Sequence, residues 1–204
     1  SRTRGLKKRR QHYIPKSYLK RFSKNNKIIA VNNLDDNDGV KCVSIEQEIF
    51  WEAYLYSFDK IDIDIEDWFS KNIERHIGAL IDKVNNKVQI SFAEKRLIAR
   101  FISAQYWRHP QIVINEKSEI TRRLSVYTNQ NHEVYPNETH IDLSHQNLMK
   151  TIRDSVKALE EFLLLFNWEF FVPDQIENFF LTSDTPLVNE HLIDSDIPNE
   201  NKKL

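Results

Sequence analysis

The sequence predicts an α+β fold that is mainly helical: a helical body with a small antiparallel sheet built from two short strand pairs. Three observations predict it. Apolar residues recur at three-and-four spacing over several long segments. Short apolar bursts elsewhere are bounded by acidic or proline-bearing turns. The 204 residues, 40% apolar and 29% charged, are enough to close one core and contain neither a repeat nor a low-complexity linker that would divide it.

Taken in order, Pro15 opens a short helix over 15–22, with Tyr18, Leu19 and Phe22 on one side. Segments 27–32 and 40–43 flank Asp35-Asp36-Asn37-Asp38-Gly39, the acidic turn of a hairpin. A strong helix follows over 64–84, where Ile65, Trp68, Phe69, Ile73, Ile77, Leu80, Ile81 and Val84 share one face before Asn85-Asn86 ends it. Ser91-Phe92-Ala93-Glu94 spells a capping box and starts a helix that runs to about 109, where Pro110 stops or kinks it. Residues 112–126 continue as a polar helix and 128–140 read as a loop. Ser144 is placed to cap a last long helix with the stripe Leu148, Ile152, Val156, Leu159, Leu163 and Phe166. Apolar bursts at 168–172 and 179–182, separated by Pro173-Asp174, supply the second strand pair. The predicted organisation is a basic arm over 1–10, a single domain over 11–188 and a polar, irregular segment over 189–204.

Composition excludes several function classes. Three glycines stand alone at Gly5, Gly39 and Gly78, so no phosphate-cradling glycine loop can be assembled. A single cysteine, Cys42, excludes a disulfide scaffold and a thiolate zinc site. The sequence contains no HExxH, EF-hand or G-x-S-x-G pattern. No stretch approaches the ~20 apolar residues that span a bilayer, and the basic start is followed by Gln11-His12-Tyr13-Ile14-Pro15 rather than an apolar run. The expected location is the cytoplasm, with no membrane partner.

Charge is balanced overall, with a net of −1, but segregated. Eleven of the 29 Lys and Arg residues fall between Ser1 and Leu34, where there is no acid, leaving 18 against 30 Asp and Glu in the remainder. Lys7, Lys8, Arg9 and Arg10 form the densest run. Such an arm suits nucleic acid or another polyanion, because each cation meeting a phosphate releases counterions. Docking on the chain's own acidic body is the other reading.

Helical geometry exposes the informative anomalies. On the 91–109 helix, steps of 100° carry Gln105 and Arg108 to the middle of the face defined by Leu97, Ile98, Phe101 and Ile102. A buried guanidinium needs a carboxylate or a bound anion. On the 64–84 helix, Glu66 and His76 fall inside the apolar arc and Glu74 lies at its edge. Arg108 paired with Glu74 or Glu66, bridged by Gln105, is either a purely internal clasp or the wall of a cleft with a carboxylate left to work. His12 before Pro15, and Asp184 in Thr182-Ser183-Asp184-Thr185-Pro186 at a strand exit, are placed to complete such a cleft. His132, His140 and His145 lie at irregular spacing and read as solvated. Trp51, Tyr54 and Tyr56, near Glu48 and Glu52, read as core rather than a base-stacking platform.

The same residues carry a resemblance. The stretch Gln11-His12-Tyr13-Ile14-Pro15-Lys16-Ser17-Tyr18-Leu19-Lys20-Arg21-Phe22 resembles the opening of the bacterial domain-of-unknown-function family 4238, an H-x-x-P-x-x-x-L-x-x-F pattern followed by a strand, here 27–31. Glu74 is similar to that family's internal helix glutamate. Gln105, Arg108 and Pro110 match its Q-x-x-R-x-P helix end, and Ser183, Asp184 and Pro186 match an S-D-x-P after a strand containing Trp168. The resemblance covers about 11–188 and departs at Gln11, where family members often place a second histidine. That departure counts against a metal held by a histidine pair. Since the family has no assigned activity, the resemblance implies architecture and candidate residues rather than a reaction.

The residues support two functional readings. In the first, the protein is a metal-dependent phosphoester hydrolase, nuclease-like, acting on nucleic acid. Glu74 and Asp184 hold a divalent cation, Mg or Mn, His12 is general acid or base, Arg108 stabilises phosphate charge and Gln105 orients the site. In the second, the His, Glu, Arg and Asp residues are a structural network in a non-enzymatic module that binds nucleic acid or protein. A toxin or defence effector triggered by another protein is a third reading with no sequence feature to test it.

Overall fold

Pro15 sets the entry into the fold. Its φ of −61° leads into α1 (Lys16–Leu19), which tightens into one 3-10 turn (Lys20–Phe22) and buries Leu19. The computed structural model describes residues 10–31, 40–58, 65–131 and 137–170. Ahead of α1 lies β1 (Arg10–His12). Beyond it, Asn25 and Asn26 both take the left-handed backbone that asparagine tolerates, turning the chain into β2 (Lys27–Val31). β3 (Val40–Ser44) pairs antiparallel with β2, Ile28 opposite Val43, as the hairpin pattern requires.

The second strand pair is not the expected one. β4 (Trp51–Ala53) pairs antiparallel with β1, setting His12 opposite Trp51. Three residues are too few to display a period of two, so neither strand announces itself in the sequence. Of the segments expected to pair late in the chain, 168–170 have no regular structure and the rest lie outside the described residues.

The helical body begins with α2 (Ile65–Phe69), a π turn (Ser70–Glu74) and α3 (Arg75–Asn85), in unbroken succession. The buried positions Ile65, Phe69, Ile73 and Ile77 are each four apart. Steps of four drift about 40° per step around an α-helix, and the wider π turn absorbs that drift. α4 (Phe92–Trp107) starts at the capping box the sequence spells: Glu94 N donates to the Ser91 hydroxyl at 3.3 Å and Ser91 N to the Glu94 carboxylate at 3.0 Å. It ends with Arg108 as its C-cap, and Pro110 then opens α5 (Pro110–Asn131).

The loop expected over 128–140 is largely helix. α5 runs to Asn131 and α6 spans Asn137–Leu164, with 132–136 outside the described residues. Ser144 is therefore not a cap but a buried residue well inside α6, its hydroxyl donating to the His140 carbonyl at 2.8 Å. A serine bonded to the carbonyl four residues back imitates a cap in sequence because it, too, precedes an apolar stripe.

The main core forms where α4 packs along α6, with α2, α3 and α5 completing it around Phe69, Ile73, Phe101, Ala104, Leu148 and Ile152. Between α4 and α6 the buried Glu160 carboxylate receives Arg100 Nε at 2.6 Å and Arg96 Nη1 at 3.1 Å, which satisfies a charge that would otherwise be costly there. A smaller cluster of Ile14, Leu19, Ile45 and Phe50 sits under the N-terminal strands, and Tyr13 and Tyr18 touch both clusters. No helix among the described residues is long and apolar enough to cross a membrane.

Candidate functional site

Arg108 is carried to the interior by the phase of α4. Its side chain is 3% exposed and pairs with Glu74, which projects from the end of the π turn and keeps 19% exposure. Nη1 donates to Glu74 Oε1 at 2.7 Å and to Gln105 Oε1 at 3.3 Å, while Nη2 donates to the His12 carbonyl at 2.8 Å. The guanidinium lies 4.5 Å from the centre of the Phe69 ring, a cation–π contact made in the absence of bulk water. Burial works against its charge, but the Tyr56 oxygen and Glu74 outweigh burial and raise its pKa.

The segment Gln11-His12-Tyr13 is what this arginine holds. Glu66 Oε1 accepts from His12 N at 2.8 Å, Arg108 takes the His12 carbonyl, and Gln105 Nε2 donates to the Tyr13 carbonyl at 3.4 Å. Three polar side chains of the helical body thus grip main-chain atoms rather than the His12 imidazole. That ring is left with Nε2 buried and without a hydrogen-bond partner. Burial, with Lys16 and Arg108 nearby, holds the His12 pKa below its ordinary value, against the pull of Glu46 and Glu74. The imidazole is accordingly neutral at pH 7.

Gln11 and Tyr56 extend the same network. Gln11 is fully buried, its Oε1 accepting from Tyr56 N at 2.7 Å and its Nε2 donating to Ser57 Oγ at 3.4 Å. The Tyr56 hydroxyl is pushed up to about 12, chiefly by burial, with Arg108 opposing. It is near enough to feel that cation, yet neither Tyr56 Oη nor Arg108 Nε meets hydrogen-bond geometry with a partner.

The structure therefore brings together His12, Glu74, Gln105 and Arg108, and adds Glu66, Gln11 and Tyr56. Asp184 and the arm residues Lys7, Lys8 and Arg9 lie outside the described residues. Arg10 is exposed at the start of β1, its guanidinium 4.9 Å from the Trp51 ring centre. His76 is half-buried on α3, with Nε2 accepting from Arg75 Nε at 2.8 Å. Among the described residues, no group of three or more His, Cys, Asp or Glu side chains converges as a metal centre.

Two expectations need correction. His145 is not solvated: it is 6% exposed on α6, and its Nε2 accepts from Phe58 N at 2.7 Å. The apolar stripe of α6 extends backward from Leu148 by three residues onto His145, a signal hidden when the helix is started at Ser144. Trp51 and Tyr54, read as core with Tyr56, are only half-buried and belong to neither core cluster; Tyr56 is core, and it also stands beside the arginine. Gln11 carried no signal of its own, because its partners are main-chain and hydroxyl groups more than forty residues away.

The family model described as "Protein of unknown function (DUF4238)" matches residues 10–196 of the chain. No curated protein and no solved structure matches it.

Proposed function

The chain belongs to the DUF4238 family, and from its own residues we propose that it is a metal-dependent phosphoester hydrolase acting on nucleic acid, with His12 as general acid–base. One observation carries this reading. His12 is fixed by its main chain, through Glu66 on the N–H and Arg108 on the carbonyl, while its neutral imidazole keeps a buried nitrogen uncommitted. A neutral, pre-positioned imidazole can take a proton from an attacking hydroxyl or water, or return one to a leaving oxygen. Gln105 and Arg108 act here as positioning residues, since the guanidinium already serves Glu74, Gln105 and the His12 carbonyl.

Glu74 commits Oε1 to Arg108 and is the more exposed member of that pair, and it is the first proposed ligand for a divalent cation. Asp184 is the second proposed ligand, Mg or Mn the proposed ion, and Lys7, Lys8, Arg9 and Arg10 the proposed source of non-specific affinity for the phosphate backbone. The proposed setting is the cytoplasm.

The test follows from which atoms are gripped. His12→Ala leaves both main-chain bonds available, so it removes divalent-dependent cleavage of labelled RNA or DNA while the thermal transition stays in place. Wild-type protein that cleaves neither nucleic acid with Mg or Mn overturns the proposal. A second reading, a non-enzymatic binding module, draws on a specific observation: Glu66, Gln105 and Arg108 are all committed to holding main chain. Binding that weakens steeply with salt, with no product and no metal dependence, favours that module.

A further inference from the structure

The turn formed by residues 54–58 is held in an unfavourable shape by three side chains from three different elements. Tyr54 has a φ of 58°, the left-handed region that a bulky aromatic residue rarely adopts. Such strain persists only where surrounding contacts over-determine it. Gln11 of β1 takes Tyr56 N and Ser57 Oγ. Lys117 of α5 donates to the carbonyls of Ser57 at 2.7 Å and Leu55 at 3.2 Å, and its ammonium stands 5.3 Å from the Phe58 ring centre. His145 of α6 accepts from Phe58 N at 2.7 Å, and the two rings meet edge-on at 5.4 Å.

These holds differ in chemistry. A glutamine amide does not titrate, and Lys117, although burial lowers its pKa, gains protons rather than losing them as the medium acidifies. His145 can hold Phe58 only while Nε2 carries no proton. We propose that His145 is a positioning residue and an acid-sensitive latch: protonation of Nε2 removes the acceptor for Phe58 N–H, and the strained turn then releases Gln11 and, next to it, His12.

The groups facing His145 bear on where the latch trips. Burial favours its neutral form, Lys117 on α5 adds to that, and Asp142 one turn back on α6 pulls the other way. The outcome is a pKa below the ordinary value, so the latch is closed at pH 7 and opens on acidification. The regulatory consequence rests on the hydrolase reading of His12. The latch itself does not.

The experiment follows the amide of Phe58 in ¹⁵N-labelled full chain. In wild type, its hydrogen-exchange protection falls about tenfold, the loss of one buried hydrogen bond, as the pH drops below about 6.5. In His145→Gln, whose amide oxygen reaches near the Nε2 position and does not titrate, protection is independent of pH. A flat wild-type profile, or the same acid-induced loss in both proteins, overturns the latch. Should the variant not fold, the ring ¹⁵N shifts of His145 in wild type at neutral pH decide instead. An unprotonated, hydrogen-bonded Nε2 supports the latch, and a protonated Nε2 overturns it. No readout depends on cleavage, so failure of the hydrolase proposal is seen separately.

Discussion

Arg108 holds a full charge where only 3% of its side chain meets solvent, and every group it touches is a consequence of that placement. Removing it leaves Glu74 and the His12 carbonyl without their donor, so Arg108→Leu is expected to cost about 3 kcal/mol, the low end for breaking a buried pair because Glu74 keeps some water. Combining it with Glu74→Gln recovers part of that loss, which a double-mutant cycle on denaturant unfolding measures. This much was legible in the sequence, because a helix of known start has a known phase and Arg108 and Gln105 fall on its apolar side. Glu74 was legible as a candidate acid at the arc's edge. The targets were not legible. Glu66 and Arg108 hold main-chain atoms of His12, and a main-chain atom has no residue type by which a sequence could advertise it.

Helix boundaries decided which sequence readings survive at the scale of the element. The Ser91 capping box and the β2–β3 hairpin are local motifs, with partners three residues apart in the box and nine to seventeen apart in the hairpin, and both form. The prediction at this scale is that Ser91→Ala costs about 1 kcal/mol, a fall in Tm of roughly 2–4 °C for a chain of this size, with the position of α4 unchanged. The β1–β4 pair joins residues about forty apart through three-residue strands, and nothing local encodes it. The π turn was equally hidden, since the four-residue spacing that demands it also reads as an ordinary helical face. Its consequence is functional, for it ends at Glu74 beside the arginine. Starting α6 at Ser144 instead of Asn137 turned a buried histidine into a solvated one.

Across the whole molecule, the gripped segment joins the small N-terminal cluster to the helical core. Tyr13 and Tyr18 touch both, and the Tyr18 ring lies 5.3 Å from that of Phe101 on α4. Loss of the clasp therefore uncouples two cores and not merely one side chain. Stability should also depend on pH in a definite direction. His12 and His145 both have folded pKa values lowered, chiefly by burial, so the unfolded chain binds more protons than the folded one once the pH falls below the unfolded value of about 6.5. Stability is complete above that value and declines as the pH drops through the folded values. Denaturant unfolding at a series of pH values checks this, and His145→Gln flattens part of the decline. The most direct measurement is a pair of thermal transitions, His12→Ala beside Arg108→Leu. His12→Ala is expected to melt within about 2 °C of wild type, as a side chain without structural bonds should. Arg108→Leu should melt roughly 6–12 °C lower. A His12→Ala protein that falls as far as Arg108→Leu would mean that the imidazole is itself part of the framework, and that no free nitrogen is held there to do chemistry.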